Sequence, residues 1–206
     1  AATPRPTCSS TPRPSTCCRT ESPRDRTATA ILEFWFGDAD AERPEWFRKD
    51  DAFDATIRQR FGAQVETALA GGLREWMAGR DSALARVLLL DQFTRNIHRG
   101  TPRAFAGDAL ALQAARAMIA SGFDMQLPPL RRVFVYLPFE HAEDRAAQAE
   151  SLRLFEALGL GGYADYARRH AVIVERFGRF PHRNAILGRT STPEEVEFLK
   201  QPGSGF

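Results

Sequence analysis

From Thr29 to the C-terminus apolar residues return every three or four positions, and nowhere does an apolar-polar alternation run long enough to make a strand. The clearest run is Phe53, Ile57, Phe61, Val65 and Leu69, with Asp50 or Asp51 placed to cap its start and Gly71-Gly72 to end it. Asp81 or Ser82 is placed to cap a second helix, running to about His98. Asp108 does the same for a third, through Leu110, Leu112, Ala115, Met118 and Ile119, which Gly122 stops. Pro128-Pro129 opens a fourth; Pro138 interrupts it, and a long segment runs on to Leu158 before Gly159. A helix follows over 162–177, and Thr192-Pro193-Glu194-Glu195 is a capping box that starts the last. The expectation is one all-α domain over 29–206, with no fixed internal period visible.

The chain has 206 residues, 43% of them hydrophobic, which suffices for one core. Residues 1–28 are Ala, Thr, Pro, Arg and Ser with almost nothing to bury, so they are expected to be disordered. This leader has the composition of a transit peptide without its amphipathic period, and a misassigned upstream start accounts for it at least as well. It holds all three cysteines, Cys8, Cys17 and Cys18. The remainder therefore has no disulfide, thiolate ligand or cysteine nucleophile, which fits a reducing cytoplasm. The net charge of +2 comes from the leader's arginines, so the folded part is close to neutral and no nucleic-acid partner is implied. Its longest aliphatic run, Val87 to Leu90, is too short to span a membrane.

Stepping about 100° per residue along each helix places polar side chains on apolar stripes. Asp91 and Arg95 continue the stripe of Leu84, Val87 and Leu88. Glu140, His141, Asp144 and Gln148 fall on the arc defined by Leu152, Leu154, Phe155 and Leu158, whereas Glu143 falls outside it. His170 is centred among Tyr163, Tyr166, Ile173, Val174 and Phe177. Unpartnered burial costs a neutral polar group about 2–7 kcal/mol, so these groups must be satisfied by each other, by water or by a ligand. Helix-locking ion pairs and a hydrogen-bonded core histidine would satisfy them; so would convergence on one site. A fourth element, Arg176 through Asn184, gathers Arg176, Arg179, His182, Arg183 and Asn184 around Gly178 and Pro181. Its guanidinium forks suit a carboxylate or phosphate, or the carbonyls of a helix end.

Leu89 to Asn96, Leu137 to Asp144, and Arg176 to Asn184 with Leu187-Gly188-Arg189 are similar to the signature blocks of the bacterial domain-of-unknown-function family 924. Ile31 to Gly37 and Trp46-Phe47 resemble its opening block, so the likeness runs from about residue 28 to the end. The resemblance implies a superhelical fold of the tetratricopeptide-like class and no established activity. Thr94 stands where the family pattern has proline, and Ala142 where it often has serine, which leaves no serine nucleophile beside His141. His98 takes a commonly aromatic place and reads as surface or packing.

Two functions compete. In the first, a pocket binds or transforms a small anionic molecule: His141 is general acid or base, oriented by Asp144 or Glu140, while Arg95, Arg179 and Arg183 hold the anion. Asn184 and Gln92 supply neutral hydrogen bonds, and Asp91, Asn96, Gln148, His170 and His182 complete the site. A metal variant would use His141, His170 or His182 with Glu140 or Asp144, but no spacing matches a zinc motif and no metal ligands are assigned. No cofactor motif is recognisable. In the second, the helices form a groove for a peptide or protein and the inward polar groups are structural.

Overall fold

A computed structural model describes residues 23–37 and 41–205, so the expected disorder of residues 1–22 and all three cysteines lie outside the described part. Among the described residues nine α-helices follow one another: α1 Pro23–Phe36, α2 Asp51–Leu69, α3 Arg80–Leu88, α4 Thr94–Ile97, α5 Asp108–Ala120, α6 Pro129–Glu140, α7 Arg145–Leu158, α8 Gly161–Phe177 and α9 Pro193–Leu199. No strand occurs among the described residues. The helical domain begins at Pro23, six residues earlier than its composition suggests.

The α2 stripe is buried as its period demands, with Ile57, Phe61 and Val65 inside, and Asp50 caps it by accepting from the N–H groups of Ala52 and Phe53 at 3.0 Å. Thr192 and Glu195 form the expected capping box on α9. Neither Asp81 nor Ser82 caps α3. The Asp81 carboxylate pairs with Arg80, and the Ser82 hydroxyl donates to Trp76 O at 2.7 Å. Pro138 lies within α6 rather than ending it; the break falls at His141 to Asp144, just beyond the helix.

One core joins α1 through α8. At its centre Trp35 packs against Trp46, Phe53, Phe93 and Phe134, at centroid distances of 5.3–6.3 Å. The Trp46 indole N–H donates to Trp35 O at 2.9 Å, so the ring is buried with its polar atom satisfied. A smaller cluster of Ile173, Val174 and Phe180 ties α8 to the segment before α9. Burying such aromatic surface outweighs the weak helix preference of the individual segments.

α3 and α4 are one helix interrupted by a π turn, Leu89–Phe93, which holds an additional residue relative to α geometry. Thr94 N–H and the Thr94 hydroxyl both reach Leu89 O, the latter at 2.8 Å, so the wider turn is closed by a side chain that proline could not supply. Gly107 abuts this turn: a Cβ there would lie 2.0 Å from Leu90 O. Gly107→Ala should therefore destabilise the fold by about 2–3 kcal/mol or more, as backbone must yield where no side chain can. Urea unfolding at neutral pH measures it, and a loss below about 0.5 kcal/mol would mean that the contact is not enforced.

Candidate functional site

The π turn carries Asp91 into the interior, where it is 0% exposed. Its Oδ1 lies 2.7 Å from His141 Nδ1 and 3.6 Å from Arg95 Nη1, while the Gln92 amide donates to Oδ2 at 2.6 Å. His141 is the C-terminal cap of α6, at the start of the break between α6 and α7. Gln148, 2% exposed, donates across that break to Glu140 O and Ala142 O, both at 2.7 Å, and so fixes the backbone that bears His141. The histidine keeps 16% of its side-chain surface open.

Asp108 extends the cluster. Arg95 Nη1 donates to its Oδ1 at 2.6 Å and Arg183 Nη1 to its Oδ2 at 3.2 Å. Both guanidinium groups lie over Phe105, at 5.7 and 4.7 Å from the ring centroid, and Arg183 also meets Phe180 at 4.5 Å. Arg95 Nη2 and Arg183 Nε are buried with no hydrogen-bond partner. Alongside, Glu140 Oε1 lies 3.3 Å from His170 Nδ1, which also meets Tyr166 O at 2.9 Å. The His141 and His170 rings are 6.4 Å apart, and Phe180 packs against His170 and His182.

Burial on its own would raise the Asp91 carboxyl, but the His141 imidazole and the Arg95 charge beside it, with the hydrogen bonds from His141 and Gln92, hold it well below the usual range. Burial lowers His141 by more than Asp91 raises it. At neutral pH Asp91 is ionised, secured by Arg95 and Gln92, and His141 is neutral with its Nδ1–H donated to the carboxylate. That tautomer leaves the Nε2 lone pair available. Burial pushes Glu140 up to about 8, with Asp91 adding to the effect, and pushes His170 down to about 3. His182 falls to about 4 through burial and the neighbouring Arg183. Arg183 itself falls to about 10 through burial and Arg95, and stays charged at neutral pH.

Asp91, Gln92, Arg95, Glu140, His141, His170, His182 and Arg183 thus meet in one region. Others among the expected residues do not join in the expected way. Asp144 does not orient His141; its carboxylate caps α7 by accepting from Ala147 N–H at 2.7 Å, and Asp91 takes the orienting role. Arg179 is not aimed at the cluster but forms a bidentate pair with Glu195, whose carboxyl it holds below the ordinary range. Asn184 donates to Ser191 and Glu195 and accepts from Arg189. Asn96 donates to Asp54 at 2.6 Å. Gln148 braces backbone. Asp108, Phe105 and the Glu143–Arg189 pair, in which Nη1 reaches the carboxylate at 2.5 Å, border the cluster at places that the helical period does not mark. Asp108 lies 13 residues from Arg95 and 75 from Arg183, a separation that local pattern cannot bridge.

Among the described residues no group of three His, Cys, Asp or Glu side chains could hold a metal ion, and no helix is long and apolar enough to cross a membrane. Two clefts are lined by other residues: one of about 500 Å³ by Arg26, Arg60, Phe61 and Gln64 among others, and one of about 290 Å³ around Arg74 and Arg86.

Residues 31–203 match the model of a family described as bacterial protein of unknown function, DUF924. A solved structure of a protein of unknown function, ATU0120 from Agrobacterium tumefaciens, is 46% identical and superposes with a TM-score of 0.80; the match covers 85% of this chain and 97% of that one. No curated protein matches the sequence.

Glu140 gives a test of the local field. An unfolded glutamate titrates near about 4.3, so its raised folded value means that its stabilising contribution is complete below that pH and is lost as the pH rises toward 8. Asp91 has the opposite sign and His170 is already neutral in both states above about pH 7, so neither contributes to a fall there. Stability should drop between pH 7 and 8 in the native protein, and Glu140→Gln should flatten that drop while costing little at pH 6. Urea unfolding at the three pH values checks it, an unchanged slope in the variant being the adverse result.

Proposed function

The chain belongs to the DUF924 family of bacterial proteins, and we propose that it binds a small anionic molecule beside Asp91, His141, Arg95 and Arg183, with His141 Nε2 exchanging a proton with that molecule. The single observation that carries this reading is the 2.7 Å contact between the buried Asp91 carboxylate and His141 Nδ1. A carboxylate in that place fixes the tautomer and ring orientation and stabilises the imidazolium formed when Nε2 accepts a proton. Such a pairing suits proton transfer, beyond its part in joining the π turn to the end of α6.

Two further features fit. Arg95 and Arg183 are held side by side by Asp108 and Phe105, and each retains a buried N–H without an acceptor. A carboxylate or phosphate oxygen is the natural acceptor for such forks. Asp91 and Asp108 offset the two arginines, so the site is close to neutral before the ligand arrives; a ligand that protonates His141 on binding keeps it so.

A second reading has its own support. Arg179 with Glu195, Arg189 with Glu143, and Asp54 with Asn96 and Arg99 are internally satisfied, as expected if the inward polar groups only lock the helices of a peptide-binding scaffold. His141→Gln and Arg183→Met separate the two. On the first reading both variants fold, and a panel of small carboxylates and phosphate monoesters raises the Tm of the native protein but not of either variant; at 100 times Kd the stabilisation amounts to about 2.7 kcal/mol. In the native protein the same ligand should raise the His141 pKa, read from imidazole ¹⁵N shifts. Variants that merely unfold, with no member of the panel stabilising the native protein, favour the scaffold.

A further inference from the structure

We infer that the cleft between the turn after α2 and helix α5 is a second binding site, independent of His141, for a small organic carboxylate with an apolar body. Arg86 carries the inference. It lies in the last turn of α3 and is 5% exposed. Its Nε makes one long hydrogen bond, to Gly72 O at 3.4 Å, and it forms no ion pair with any carboxylate among the described residues. A buried guanidinium without a counter-ion is expensive, and the other arginine buried to this degree among the described residues, Arg183, has Asp108 as its partner. Burial, followed by the like charge of Arg74, lowers the proton affinity of Arg86, and Glu75, an exposed residue, offsets this in part.

The surroundings are shaped to hold that charge open. A Cβ at Gly72 would lie 2.8 Å from Thr67 Cγ2 and 2.9 Å from Thr67 O, so only glycine allows the turn to close on α2. Leu73 then adopts a left-handed φ of 57°, which brings Arg74 around to the rim. The resulting cleft of about 290 Å³ is lined by the Arg86 and Arg74 side chains and Gln113 on its polar side, and by Met77, Leu110 and Ala114 on its apolar side. Two guanidinium forks match the two oxygens of a carboxylate, and the apolar wall can cover a short hydrocarbon body. The volume lies at the small end for ligand pockets and suits an acid of a few carbons.

Hexanoate, acetate and chloride at equal ionic strength test this by thermal shift on the full chain. Hexanoate should raise the Tm of the native protein well above chloride, and acetate, which lacks the apolar body, should do so much less. Arg86→Met should unfold at the same temperature as the native protein or higher without ligand, since it removes an unpaired buried charge, and should lose the hexanoate response. Arg74→Gln, a change at an exposed position, should fold normally and weaken hexanoate binding at least about tenfold, as expected for losing a charge-assisted hydrogen bond. It decides the question even if Arg86→Met fails to fold. His141→Gln should keep the response. A response no larger than that of chloride, or one kept in both arginine variants, overturns the inference. A response lost in His141→Gln and kept in Arg74→Gln places the carboxylate at the other centre, which supports the preceding reading and removes this one.

Discussion

An ionised carboxylate with no solvent exposure has to be held from several directions at once, and Asp91 is held from three. His141 approaches from the end of α6, Arg95 from one turn along its own helix, and Gln92 from the adjacent position. Any one of these alone would leave a buried charge short of partners, a condition that costs several kcal/mol. The mutual placement of α3, α4 and α6 is therefore fixed by polar geometry as well as by the aromatic core around Trp35. Asp108 repeats the arrangement one layer further out, joining α5 to Arg95 and to Arg183.

The resulting network is graded. At one end lie Glu140 and His170, both driven by burial toward their uncharged forms. In the middle sits a charged Asp91 beside a neutral His141. At the other end two arginines share one aspartate. Groups whose environments push their proton affinities apart in this manner are the raw material of acid–base chemistry, and they also occur in structural ion-pair networks. What distinguishes His141 is its opening to solvent combined with a fixed tautomer, which a purely structural histidine does not require.

Much of this could be read from the residues alone. Helical period locates most of the helices, because a stripe of Ile57, Phe61 and Val65 has one way to be buried; of the expected caps Asp50 and Thr192 hold, whereas Asp81 and Ser82 do not cap α3 and Asp108 is the first residue of α5 rather than its cap. The inward direction of Asp91, His141 and His170 follows from the same arithmetic. The partners do not. The residues alone offer Asp144 or Glu140 as the neighbour of His141, but Asp144, sitting just ahead of α7, is drawn off to satisfy that helix's free N–H groups and Glu140 lies beside His170, so the contact falls to Asp91. Asp108 and Glu143 were hidden for a related reason, since their importance comes from residues 46 to 75 positions away. Arg86 is hidden because an arginine on a helix ordinarily reaches water, whereas this one is 5% exposed and turns its Nε to Gly72 O.

The π turn also bears on how tolerant this part of the chain is to changes in length. An α-helix that gains one residue must either rotate everything downstream by about 100° or absorb the insertion locally, and Leu89–Phe93 absorbs it. Excising a single residue from this stretch would let the backbone snap back to a regular winding. The helix itself would survive, but Arg95 and Asn96 would swing off the lines along which Asp108 and Asp54 now meet them. In sequence comparison, a gap at this point would thus signal loss of the whole polar centre even where each of its members was still spelled out.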